Sequence, residues 1–154
     1  MSAATPTSTL KPSEILIIED NEDHLELILD ALEAACLSNP IRTLPTGQQA
    51  RAYLRECGQR ARASAHELPC VILLDLQLPD ASGLDLLQEC RQDPVFHSVP
   101  VVILTTCDDA DTVSRAYRSG ANSYLVKPIS FQEFHHKVRE AGLYWAILNH
   151  PNHS

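Results

Sequence analysis

The chain has 154 residues, 44% hydrophobic and 21% charged, enough apolar material for one full core and too much for a disordered segment. Twelve Lys and Arg against twenty Asp and Glu leave a net charge of −8, without the cationic face that a nucleic-acid surface needs to displace counterions from phosphates. Five cysteines without a Cys-x-x-Cys point to neither a disulfide framework nor a zinc site.

Residues 1–12 are small, polar and Pro-containing, with no basic region leading into an apolar one, and read as a flexible tail rather than a leader. No apolar run approaches the roughly 18 residues of a membrane span. The expectation is therefore a soluble, cytoplasmic domain over residues 13–148, a short tail over 149–154 and no output domain.

Within that span, short apolar runs alternate with helical patterns. Ile15–Ile18, Val71–Leu74 and Val101–Leu104 are continuous and rich in β-branched residues, as parallel strands covered on both faces require. Ile41–Leu44 and Ser123–Val126 are weaker strand candidates. Leu25, Ile28, Leu29 and Leu32 repeat at helical spacing, as do Ala50, Tyr53, Leu54 and Cys57. Gly58–Pro69 reads as a long surface loop. Leu84, Leu87 and Cys90 mark a third helix stopped at Asp93-Pro94; Val113, Ala116 and Tyr117 mark a fourth, ended by Gly120. Ser130-Phe131-Gln132-Glu133 is a capping box opening a fifth. Five strand–helix units in order make an α/β, doubly wound, five-stranded parallel sheet with helices on both faces.

In such a sheet ligands bind at the carboxyl ends of the strands, where strand order reverses. Glu19 and Asp20 follow the first run, Asp75 the third, Thr105 the fourth, and Lys127-Pro128 the fifth. Three converging carboxylates need a hard divalent cation, for which Mg²⁺ is the natural choice. A carboxylate beside that cation can attack a phosphoryl group to give an aspartyl-phosphate. Lys127 and Thr105 would complete the neutralisation of the phosphoryl oxygens.

At these residues the sequence resembles the response-regulator receiver domains of two-component signalling, a flavodoxin-like three-layer sandwich. Glu19-Asp20 is similar to the family's acidic pair, and Val71–Asp75 with Leu76-Gln77-Leu78-Pro79 to its phospho-acceptor strand and loop. Gly83, Leu104-Thr105-Thr106 and Tyr124-Leu125-Val126-Lys127-Pro128 match its remaining motifs. The resemblance implies that Asp75 is phosphorylated. It implies Mg²⁺, with Mn²⁺ able to substitute, held by Asp20, Asp75 and the Gln77 carbonyl, with Glu19 acting through water. It also implies that Lys127, Thr105 and Thr106 serve the phosphoryl group, that Thr105 and Tyr124 form a switch, and that the Lys127–Pro128 bond is cis. Gln77 would influence access of the hydrolytic water. The long polar loop, the Thr-Thr pair and the aromatic last helix are similar to regulators partnered with phytochrome-type light-sensing histidine kinases. The implied partner is a sensor histidine kinase, such as a bacteriophytochrome.

Other readings fit less well. A haloacid-dehalogenase-type phosphatase needs an acid/base Asp two residues after its nucleophile, where this chain has Gln77. Glu19–Asp23 would repel the phosphate of a flavodoxin, and no Gly-x-x-x-x-Gly-Lys-Ser/Thr occurs. A phosphorylation-independent scaffold would not need every motif residue. Asp108, Asp109 and Asp111 read as N-terminal charges of the fourth helix, Cys107 as a bland small residue, and all seven histidines as surface residues. On the last helix Leu143, Tyr144 and Ile147 fall off the core-facing stripe. They are candidates for a homodimer contact on the face made by the fourth helix, fifth strand and fifth helix.

Overall fold

In the computed structural model, residues 13–34, 38–62 and 68–127 are described, together with Gln132, Glu133, His136 and Lys137. Five strands form one parallel sheet in the order β2-β1-β3-β4-β5: β1 Ile15–Ile18, β2 Ile41–Leu44, β3 Val71–Leu74, β4 Val101–Thr105 and β5 Ser123–Val126. Between them run α1 Glu22–Ala34, α2 Gly47–Ala61, α3 Gly83–Gln92 and α4 Ala110–Arg118. The three central strands are buried along their whole length, which is why they read as unbroken apolar runs. Edge strand β2 is exposed except at Leu44.

Side-chain alternation divides the core between two layers. Leu16, Ile18, Ile72, Leu74, Val101 and Ile103 point into the cluster shared with Leu54, Leu87 and Ala116 of α2, α3 and α4. Ile15, Ile17, Val71, Leu73, Val102 and Leu104 point the other way, onto Ile28, Ala31 and Leu32 of α1. Burying a side chain of this size contributes about 1.5–3 kcal/mol, so these two clusters hold the strand ends in fixed positions.

Four helices are described where five were expected. Gln132, Glu133, His136 and Lys137 are helical and exposed. The rest of the expected fifth helix, including Leu143, Tyr144 and Ile147, lies outside the described residues, as do both expected tails, Pro128 and its bond to Lys127. One boundary is corrected. The segment expected to be loop from Gly58 is helical through Ala61, because Gly58 is buried and lies against Phe96, and tertiary contact overrides glycine's low helix propensity.

The loop after β3 is anchored at both ends. Ser82 caps α3 by accepting from Leu84 N–H, and Gly83 N–H donates to Leu76 C=O at 2.9 Å. Asp80 reaches back to α2, accepting from Gly47 N–H at 2.7 Å and Gln48 N–H at 2.9 Å. These helix N–H groups hold its carboxyl below the usual range. At Gly83 a Cβ would stand 2.4 Å from Asp75 C=O and 2.6 Å from Leu76 Cα. Gly83→Ala is therefore expected to lose about 1–3 kcal/mol, the usual cost of overpacking, measurable by urea denaturation.

Candidate phosphoryl-acceptor site

Hydrogen bonds that continue the sheet ladder place the polar residues at the carboxyl ends of the strands. Glu19 N–H donates to Leu44 C=O at 3.1 Å, Asp75 N–H to Ile18 C=O at 3.0 Å, and Lys127 N–H to Thr105 C=O at 2.7 Å. Strand order reverses between β1 and β3, and there Glu19, Asp20 and Asp75 offer oxygens all within 4.8 Å of one another. Glu19 and Asp75 are buried and Asp20 is exposed. Among the described residues this is the only cluster of that kind.

Lys127 crosses the cluster. Its Nζ donates to Glu19 Oε1 at 2.5 Å, to Asp75 Oδ2 at 2.9 Å, and contacts His24 Nδ1 at 2.9 Å. Of the remaining carboxylate oxygens, Asp75 Oδ1 accepts from Gln77 N–H at 2.9 Å and Glu19 Oε2 from Asn21 N–H at 3.1 Å. Burial pushes the Glu19 carboxyl up from 4.5 to about 7, with the Lys127 ammonium opposing it. A raised folded-state value means that this group's contribution to stability is full below about 4.5 and is lost as the pH rises through about 7. In chelator, wild-type protein is expected to lose stability relative to Glu19→Gln across that window, checked by thermal unfolding of both at a series of pH values.

Thr105 is fully buried, and its Oγ1 accepts from Cys107 N–H at 3.4 Å. Cys107 C=O in turn accepts from Tyr124 Oη at 2.7 Å. Burial pushes the Tyr124 phenol up to about 12, so it remains a donor at neutral pH. The backbone of Cys107 thus connects the expected switch hydroxyl to the expected switch aromatic. Thr106 is exposed and donates to Gln77 Oε1 at 3.3 Å. Asp109 is the N-cap of α4, accepting from Thr112 N–H.

One expectation needs correction. His24 is not a bystander on the surface: its side chain is 30% exposed and faces Lys127 and Glu19. Burial and the Lys127 charge lower its pKa from the ordinary 6.5. The signal available in sequence was its place in the first turn of a helix that starts just past a strand end, which puts it over the sheet edge.

An all-oxygen carboxylate set of this size suits a hard divalent cation. Residues 15–139 match the response regulator receiver domain. The chain belongs to the response-regulator receiver family. FilR2 of Methanothrix harundinacea, a probable methanogenesis regulatory protein, is 39% identical over 140 residues, spanning 90% of this chain and 86% of FilR2. Among solved structures, the phosphorylated cyanobacterial phytochrome response regulator RcpA superposes with a TM-score of 0.80 at 32% identity, covering 92% of this chain and 99% of RcpA. The Mn²⁺-bound form of Rcp1, a Synechocystis response regulator, matches equally well, with a TM-score of 0.80 at 30% identity over 92% of this chain and 100% of Rcp1. Membership agrees with the fold and with the motif positions. No helix among the described residues is long and apolar enough to cross a membrane.

Proposed function

We propose that this receiver is a cytoplasmic phospho-acceptor, taking a phosphoryl group onto Asp75 from the phosphohistidine of a phytochrome-type sensor kinase. The observation that carries this reading is Asp75 itself. It is a buried carboxylate with Lys127 Nζ 2.9 Å away and two further carboxylates close by. Likeness to RcpA, named as a phytochrome response regulator, supports the choice of kinase.

Asp20, Asp75 and the Gln77 carbonyl would hold Mg²⁺, with Glu19 completing the site. When bound, the ion neutralises charge on the phosphoryl oxygens. An Asp75 carboxylate oxygen bonds to phosphorus while the P–N bond of the donor breaks, and that electron pair leaves with the imidazole nitrogen. Lys127 moves its contact from the carboxylate to a phosphoryl oxygen. Thr105 turns its hydroxyl to another, releasing Cys107 N–H. The Cys107 backbone also carries the Tyr124 contact, so the change reaches Tyr124 and its neighbour Tyr117, whose ring centroid is 6.5 Å away.

Tyr117 is 49% exposed on α4, which supports signalling through the α4–β5 face, including pairing with a second copy there. Both effects are a shift between two populations, biased by the phosphoryl–Thr105 contact.

Incubation with acetyl phosphate and Mg²⁺ is expected to add one phosphoryl mass by intact mass spectrometry, and chelator to prevent it. Equal gain with and without Mg²⁺ would contradict the cation's part. No gain from acetyl phosphate or from a phosphorylated histidine kinase would contradict the acceptor reading.

A further inference from the structure

The imidazole of His24 occupies a place in the site that none of the residues assigned above accounts for. Its backbone N–H donates to Asn21 Oδ1 at 3.0 Å, fixing the first turn of α1 at the mouth of the site. From there Nδ1 lies 2.9 Å from Lys127 Nζ and 3.9 Å from Glu19 Oε2. An ammonium has three hydrogens and no lone pair. Lys127 directs them to Glu19 Oε1, Asp75 Oδ2 and His24 Nδ1. Nδ1 is therefore the acceptor, and the ring is neutral with its proton on Nε2.

These three acceptors have different fates in phosphoryl transfer. Asp75 becomes the acyl phosphate, and Glu19 lies among the oxygens a cation would draw away. His24 is neither a carboxylate nor a reacting group, so it alone keeps its bonding to the ammonium throughout. We propose that His24 is a positioning residue for Lys127, a fixed neutral acceptor that holds the ammonium over Asp75 while its two carboxylate contacts are exchanged. This inference rests on the reading of Asp75 as the acceptor. Without the imidazole, the long lysine chain would have to find the developing phosphoryl charge from several rotamers, and the loss would fall on the transfer step rather than on donor binding.

The test uses the full chain and two variants. His24→Leu removes the acceptor at similar volume. His24→Asn restores an oxygen near the position of Nδ1. With acetyl phosphate and Mg²⁺, His24→Leu is expected to transfer about five- to tenfold more slowly at saturating donor, the range of one hydrogen bond. Its half-saturating donor concentration should stay within about twofold of wild type, and His24→Asn should recover most of the rate.

Nitrogen NMR of ring-labelled, metal-free protein gives a readout independent of activity. His24, assigned by its absence from the His24→Leu spectrum, should be the Nε2–H tautomer in wild type and redistribute between tautomers in Lys127→Ala. An Nδ1–H tautomer, a charged ring at neutral pH, or wild-type transfer by His24→Leu would overturn the inference while leaving Asp75 as the acceptor. A wild-type protein that takes no phosphoryl group from acetyl phosphate or from a kinase would overturn the acceptor reading and this inference with it.

Discussion

Asp75→Asn is expected to lose phosphoryl gain completely while keeping the fold. An amide nitrogen or oxygen in place of the carboxylate has too little nucleophilicity to form the acyl phosphate, so the loss is of the reaction itself and not of a rate factor. The effect on stability should be small because two changes oppose each other. Removing one carboxylate relieves the crowding with Glu19 and Asp20. Against that, the amide has one oxygen for two donors, Gln77 N–H and Lys127 Nζ, and one of them is left facing an NH₂ group. Each term is on the order of 1–3 kcal/mol, so the net should lie within about 2 kcal/mol of wild type. Intact mass spectrometry after acetyl phosphate treatment, beside urea denaturation, checks both halves. Phosphoryl gain by Asp75→Asn would remove Asp75 from its assigned role.

Lys127→Ala should produce the largest change in stability at the site. Its side chain is 4% exposed and bridges two carboxylates that are themselves buried. Deleting one partner of a buried ion pair typically costs about 3–5 kcal/mol, because the remaining charge has no compensation. Here two carboxylates remain, and Glu19 can relieve part of the loss by taking a proton, since burial already holds its carboxyl near 7. The expected loss in chelator at neutral pH is about 3 kcal/mol, and it should shrink on acidification or with Mg²⁺, either of which neutralises the carboxylates. The variant should still accept a phosphoryl group, slowly, and respond weakly at the α4–β5 face. Urea denaturation with and without Mg²⁺ tests this; a loss below about 1 kcal/mol in chelator would show that the ammonium contributes little to holding the site together.

Much of this architecture was legible in sequence because its signals are local. The three central strands are buried on both faces, so Ile15–Ile18, Val71–Leu74 and Val101–Leu104 appear as unbroken apolar runs. Once five strand–helix units were read in order, the sheet's carboxyl edge followed, and Glu19, Asp20, Asp75, Thr105 and Lys127 followed from it. What stayed hidden depends on contacts between distant parts of the chain. Gly58 extends α2 because Phe96 packs on it, and nothing near Gly58 announces that neighbour. Asp80 accepts two N–H groups from a helix more than 30 positions earlier, and nothing near it in the chain announces those partners. His24 and Lys127 are 103 positions apart; a lone histidine among acidic residues looks solvated until β5 brings the ammonium beneath it. Glu19 shows the same limit in another form. Its direct bond to Lys127 at 2.5 Å joins residues 108 positions apart, and no local signal announces it.

Reductive trapping shows most directly whether the Asp75 carboxylate carries the phosphoryl group. Protein treated with acetyl phosphate and Mg²⁺ would be reduced with borohydride, which converts an acyl phosphate at aspartate to homoserine, then digested and sequenced by mass spectrometry. Homoserine at position 75 alone, and only in the sample that received both reagents, is the expected result. Homoserine at Asp20 or at any other aspartate, or phosphate retained on a hydroxyl or imidazole with Asp75 intact, would show that Asp75 is not the acceptor.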